Sequence, residues 1–211
     1  MPVITVSRQY ASGGSNVARL VADGLGWQLV DNEFVDRVAR EAGVSRKEVE
    51  EHEERVPGLI DRLARALVAS APEAFVASTQ PPESGFATEE ELVRATETVI
   101  EQALREEKNL VLVGHGAQAL LAQHEQSLHV FIVAPREHRI QAAMKRLGVD
   151  REKAEETLDR ADDGRRRYVK TYYDRAWDTA DNYHLVISTG VFSYEQAAEM
   201  VVGAVVLRGW R

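Results

Sequence analysis

Five short apolar runs recur along the chain: "VITVS" (3–7), "QLVD" (28–31), "LVLVG" (110–114), "HVFIVA" (129–134) and "HLVISTG" (184–190). Stretches with helical periodicity separate them. Runs this rich in Val, Ile and Leu, with no alternating polar face, suit strands covered on both sides. The alternation predicts an α/β fold: a three-layer sandwich with a five-stranded parallel sheet and helices on both faces. After the first run, Val17, Leu20, Val21 and Leu25 share one face of a helix over 16–25, which predicts packing on the sheet. Ser45 with Glu48, Thr88 with Glu91 and Ser193 with Gln196 stand at capping-box spacing and mark further helix starts.

Two regions fall outside the alternation. Residues 33–87 predict a helical insertion ending in the Pro/Ser/Gly-rich stretch "STQPPESGFAT", and residues 148–178 predict a highly charged helical segment. Both are expected above the carboxyl edge of the sheet, where such folds bind ligands. The whole of 1–211 is expected to form one domain, with a core of 1–32 and 88–211 carrying the insertion and a lid-like segment at 148–178.

Composition narrows the function classes. The 211 residues are 44% hydrophobic, and no apolar run is long enough to span a membrane. The first residues enter a strand pattern without a basic and apolar leader, and cysteine is absent; both suit a cytoplasmic protein. Without cysteine there are no disulfides, zinc–thiolate sites or cysteine nucleophiles. A net charge of -8 argues against nucleic acid as a partner. Against that background "DRADDGRRRYVKTYYDR" (159–175) is locally basic. The six histidines show no metal-binding spacing, and no Ser/His/Asp set stands at hydrolase spacing.

The stretch with most chemistry is "SRQYASGGSNVA" (7–18), a glycine turn between a strand and a helix. Backbone N–H groups and the helix dipole there favour a phosphate, and Gly13 and Gly14 admit a close approach. The competing reading is a tight turn and nothing more. Gly14 and Ser15 stand where a P-loop carries its Lys and its Ser or Thr.

Together, "ITVSRQYASGGSNVARLVADGLGWQLVD", "EEELVRATETVIEQALREEKNLVLVGHGA" and "DDGRRRYVKTYY…DNYHLVISTG" resemble the cytidylate kinase-like family, relatives of the P-loop nucleoside monophosphate kinases. The family reads SRxYGSGG after its first strand and likewise tolerates the missing lysine. The resemblance implies a P-loop NTPase-type fold and transfer of the ATP γ-phosphate to a nucleoside monophosphate, CMP or dCMP by analogy, with Mg2+ on the donor phosphates. It also implies nucleotide partners and a monomer or homodimer. Two departures stand out. "GHGA" replaces GRGA, so His115 stands for an arginine expected at the acceptor phosphate, and Ala11 replaces a loop glycine. Val113 stands where an Asp often supports magnesium.

Phosphoryl transfer needs positioning and positive charge. The loop residues Ser12, Gly13, Gly14, Ser15 and Asn16 are the expected nucleotide contacts, with the Ser15 hydroxyl helping hold Mg2+. Arg8, closing the first strand, is expected to supply part of the charge that Gly14 lacks. Asp162, Arg165 and Arg166 fall at i, i+3 and i+4 on one helix face. They match the family's DxxRxxY pattern through Tyr168, and this charged face is expected to be exposed. Arg160, Arg165 and Arg166 are the expected catalytic cations beside Arg8; Asp31, Arg37, His115 and Asp162 are the expected acceptor contacts. Trp177, Tyr168, Tyr172 and Tyr173 suit stacking on a base, but packing of the lid onto the core is the expected use. Two other readings stay open: a catalytically weak or inactive nucleotide-binding regulator, and a kinase for a non-nucleotide acceptor.

Overall fold

The structure, a computed structural model, describes residues 1–31 and 109–210, with Glu97, Ile100 and Leu104 between them. The chain divides into two compact units, 1–29 with 108–211, and 30–107. Of the second unit, Val30 and Asp31 are buried, and Glu97, Ile100 and Leu104 are helical. The helix starts expected at Ser45 and Thr88, the residues of 33–87 and Arg37 lie outside the described residues.

The five apolar runs form one parallel sheet: β1 Val3–Arg8, β2 Gln28–Val30, β3 Leu110–Val113, β4 Ser127–Val133 and β5 Leu185–Ser188, in the order β2-β3-β1-β4-β5. β1 is central, with Val3 opposite both Leu110 and Ser127 and Arg8 opposite Ile132. The described helices are α1 Gly14–Leu25, α2 Ala117–Leu120, α3 Arg136–Leu147, α4 Arg151–Tyr173 and α5 Tyr194–Leu207. This is the P-loop NTPase type of α/β fold. None of the described helices is long and apolar enough to cross a membrane.

The period of two in each strand divides the core between the two faces of the sheet. Ile4, Val6, Val111, Val113, Leu128, Val130, Ile132 and Ile187 pack against Val17, Ala18 and Val21 of α1 and Ala197, Val201 and Val205 of α5. Leu20 and Leu25 lie partly buried at the margin of this cluster, as the helical pattern predicts. The start of α5 also agrees with the sequence: Ser193 and Gln196 form a reciprocal capping box. A second cluster gathers Phe131 with Val169, Trp177 and Tyr183.

The charged segment is one continuous helix of 23 residues. Its Ala154, Leu158 and Ala161, spaced by one turn, pack with Ile140 and Ala143 of α3 and with Tyr10. An apolar stripe within a polar segment holds α4 to the body of the first unit. Its start is capped by Asp150, whose carboxylate accepts from the Lys153 N–H at 2.9 Å.

A buried polar cluster stands in the β1–β4 interface. His129 is 3% exposed, its Nδ1 lies 2.8 Å from Thr5 Oγ1 and its Nε2 lies 3.0 Å from Ser127 Oγ. Two hydroxyls therefore satisfy both ring nitrogens of a neutral imidazole. Its ring stacks on His184 with centroids 4.9 Å apart. Burial first, and then the neighbouring His184, push the His129 pKa down to about 4. A folded-state value below the unfolded one means that the unfolded chain binds the extra proton. Stability is thus full above about pH 6.5 and falls as pH drops through the window down to about 4. His184 and His124 are shifted in the same direction, chiefly by burial. We expect urea unfolding midpoints to decline between pH 7 and pH 4.5, with a loss on the order of 2–3 kcal/mol near the lower end. His129→Asn should lower stability at pH 7 and flatten that decline; an unchanged slope would remove His129 as its source.

Candidate functional site

The turn after β1 is held from several directions. The Gln9 N–H donates to the Ile132 carbonyl at 3.0 Å, and Gln9 Oε1 accepts from the Ala134 N–H at 3.1 Å. The Ser12 hydroxyl donates to the Gln9 carbonyl at 2.8 Å and reaches the Ile132 carbonyl at 3.1 Å. Thr189 Oγ1 donates to the Ser12 carbonyl at 2.7 Å. Ser12 is 1% exposed, so its side chain shapes the turn from inside instead of facing a ligand as the sequence suggested. Ala11 adopts φ 59°, a left-handed conformation that costs a non-glycine residue roughly 1–2 kcal/mol. A glycine at this position would carry no such cost.

The two glycines are required by space. Gly13 has φ +79°, and a Cβ on it would lie 2.3 Å from the Tyr194 ring. A Cβ on Gly14 would lie 2.4 Å from Arg8 Cβ. Any larger residue at 14, lysine included, would displace Arg8. Beyond them α1 begins with no side-chain cap and no acidic residue in its first turn. Its first intrahelical bond runs from the Val17 N–H to the Gly13 carbonyl at 3.1 Å, so the Gly14, Ser15 and Asn16 N–H groups precede the helical ladder. Those amides and the positive end of the helix dipole suit an anion.

A second tight turn adjoins Arg8. After β3, Gly114, His115 and Gly116 have φ of 80°, 55° and 66°, three left-handed residues in succession. The absence of a Cβ at Gly114 admits the Arg8 guanidinium, whose Nη1 would otherwise lie 2.2 Å from that atom. At Gly116 the same absence admits the rings of Tyr173 and Tyr168, which a Cβ there would meet at 2.6 Å and 3.1 Å. His115 therefore sits on a constrained turn between Arg8 and the end of α4. Histidine is among the side chains that tolerate this conformation.

On α4 the expected exposed face divides in two. Asp162 and Arg165 are 4% and 6% exposed. Asp162 Oδ1 accepts from Arg165 Nη1 at 2.8 Å and from the Tyr10 N–H at 2.8 Å, and Oδ2 accepts from Arg139 Nη1 at 2.7 Å. The expectation of solvated charges fails at both positions because they continue the Leu158–Ala161 stripe toward the core. Arg166 is exposed and paired with Asp178 at 2.7 Å and with Asp163; Arg160 is exposed on the same helix. Trp177 is buried edge-on against Phe131 at 5.2 Å, with the Arg165 and Arg166 guanidinium groups each 5.9 Å from its ring centre. It packs on the core, as the sequence suggested.

Within the first unit, then, Arg8, the Gly13–Asn16 amides and His115 lie around the carboxyl ends of β1 and β3. Asp31 is buried in the second unit. Sequence reasoning passed over Tyr10 and Arg139. Arg139 was detectable as a lone cation beside Ile140 and Ala143 on the apolar face of α3. Among the described residues no three acidic, His or Cys side chains group as a metal site. Ser15 offers one hydroxyl and β3 ends in Val113, a donor set that fits Mg2+ carried by nucleotide phosphates and not a protein-built cage. Truncating Arg165 to Ala should cost about 1–3 kcal/mol in unfolding free energy, the value of a lost buried charge-assisted bond, and denaturant titration measures it.

A solved structure of an uncharacterized protein from Eubacterium ventriosum is similar over 98% of this chain and 99% of its own, at TM-score 0.69 and 19% identity. Shikimate kinase from Acinetobacter baumannii, in complex with shikimate, matches at TM-score 0.51 and 16% identity over 100% of this chain and 96% of its own. TT1252 from Thermus thermophilus matches at TM-score 0.51 and 23% identity over 98% and 97%. At these identities the likeness is one of fold. No curated protein matches the chain in sequence. The model of the cytidylate kinase-like family matches residues 3–191, from β1 through the β5–α5 turn, and the chain belongs to that family.

Proposed function

We propose that this chain is an ATP-dependent phosphotransferase acting on a nucleoside monophosphate, with CMP or dCMP the first acceptors to test. The observation that carries the reading is the exclusion between Arg8 and Gly14. The arginine stem fills the space that a side chain at 14 would need, and its guanidinium lies at Gly114, so the end of β1 carries a cation between the two turns. A guanidinium keeps its charge at any working pH and meets two phosphate oxygens at once. In this reading the Gly13–Asn16 amides cradle the donor phosphates, and Mg2+ supplies charge neutralisation, with Ser15 beside it. Arg8 and the exposed α4 cations Arg160 and Arg166 offset charge on the migrating group, and Arg165, buried against Asp162, contributes only at longer range. His115 serves the acceptor phosphate. No covalent intermediate is needed.

A second reading has an observation of its own. Arg166 is already neutralised by Asp163 and Asp178, and Val113 and His115 replace charged groups, which favours a weak or inactive nucleotide-binding regulator. The fold likeness to a shikimate kinase keeps a non-nucleotide acceptor in the panel.

ATP with Mg2+ should raise the thermal midpoint, with stabilisation of about 2.7 kcal/mol at a hundredfold excess over Kd. No shift at millimolar ATP would remove the nucleotide reading. Arg8→Ala should weaken ATP binding by about 1.5–3 kcal/mol in calorimetric titration while the protein stays folded. Gly14→Ala should act in the same direction by displacing Arg8. ADP release coupled to a panel of CMP, dCMP, UMP, AMP, GMP and shikimate decides the acceptor; ATP binding with no release for any of them would favour the regulator.

A further inference from the structure

Tyr10 is gripped at both ends of its backbone unit. Its N–H donates to Asp162 Oδ1 at 2.8 Å, and its carbonyl accepts from Arg139 Nη1 at 3.4 Å. The two gripping side chains meet each other at 2.7 Å, with side-chain exposures of 8% for Arg139 and 6% for Asp162. Arg139 comes from α3 and Asp162 from α4, so two helices hold the start of the phosphate loop together. Arg139 Nε also donates to the Ala134 carbonyl at 3.2 Å, which ties it to the end of β4.

The clamp sits directly before a strained residue. Ala11, the next in the chain, has φ 59°, and beyond it Ser12 is bonded to Gln9, Ile132 and Thr189. A left-handed alanine relaxes unless the chain is fixed on both sides of it. The Ser12 bonds fix the far side, and the Asp162–Arg139 clamp fixes the near side. Contact between α3 and α4 does not require the ion pair, since Ile140, Ala143, Ala154, Leu158 and Ala161 supply an apolar interface. Buried pairs of this kind often add little net stability over apolar residues of the same size. What the pair adds here is geometry.

We propose that Asp162 and Arg139 are positioning residues that hold loop 9–13 in its left-handed shape. The Gly14–Asn16 amides then face a phosphate, and α4 with its arginines is tied to the same loop. The functional part of this inference rests on the proposed binding of nucleotide phosphate by that loop; the structural part does not. It moves Asp162 from the acceptor to the loop.

The test uses the full chain with Asp162→Asn, Ala11→Gly and the two combined. Amide hydrogen exchange without nucleotide reads the loop directly. Asp162→Asn should speed exchange across residues 10–16 by about tenfold or more while α5 keeps its parent rates. ATP titration should show affinity weakened about tenfold. Adding Ala11→Gly should recover at least half of that loss on a logarithmic scale, because glycine holds a left-handed φ unaided. Uniform faster exchange, or no recovery in the double variant, would make the clamp an ordinary packing contact and overturn the proposal. Should the parent protein bind no ATP, the nucleotide reading fails alone, and the exchange pattern still decides the clamp. If Asp162→Asn does not fold, Arg139→Gln with Asp162→Asn removes both charges together and is read in the same way.

Discussion

The approach of the Arg8 side chain to the backbone of two turns is the constraint around which the described site is arranged. Its stem lies against Gly14 and its guanidinium against Gly114, each at a distance that leaves no room for a Cβ. Two glycines on separate elements are therefore fixed by one side chain. β1 is central in the sheet, so its last residue lies between the turns that follow β1 and β3. The parallel register places those turns side by side, with Val6 opposite Val113. In this arrangement a cation stands at a strand end between the two turns, whereas a P-loop carries its lysine in the loop itself.

Around that approach the backbone is held in conformations it would not keep alone. Ala11 and His115 are both left-handed without being glycine. Such residues persist only where neighbouring structure over-determines them. At Ala11 the determination is polar, through Asp162, Arg139, Ser12 and Thr189. At the β3 turn it comes from packing: flanking glycines accept Arg8 on one side and the Tyr168 and Tyr173 rings on the other. The electrostatics follow the same division. The chain carries a net charge of -8, yet Arg165 and Arg166 of α4 are held by carboxylates of their own unit, buried at Arg165 and exposed at Arg166. A polyphosphate would compete for the exposed pair far more easily than for the buried one.

The fold was legible because its signals are local. Five Val/Ile/Leu runs between helical stretches specify a parallel sheet, and Ser193 with Gln196 marks a helix start within four residues of sequence. The glycine turn between β1 and α1 was legible for the same reason. The face of Asp162 and Arg165 reads as exposed, since the arginines of the segment outnumber the apolar residues Ala154, Leu158 and Ala161 that decide which side is covered. Those three carry little hydrophobic signal individually, and their stripe becomes visible only once α3 lies beneath it.

By itself the sequence determined the sheet, the order of chemistry along the chain and the absence of a loop lysine. Tertiary structure decided the rest. Arg8 and Gly14 are six residues apart, and nothing in that spacing says that one side chain excludes the other. Asp162 and Tyr10 are 152 residues apart, and their bond depends on the packing of α3 and α4 at the end of the sheet. Strand and helix formation follow from periodicity within a dozen residues. Which carboxylate meets which arginine depends on distances of a few tenths of an ångström set by the whole core, and no local pattern encodes them.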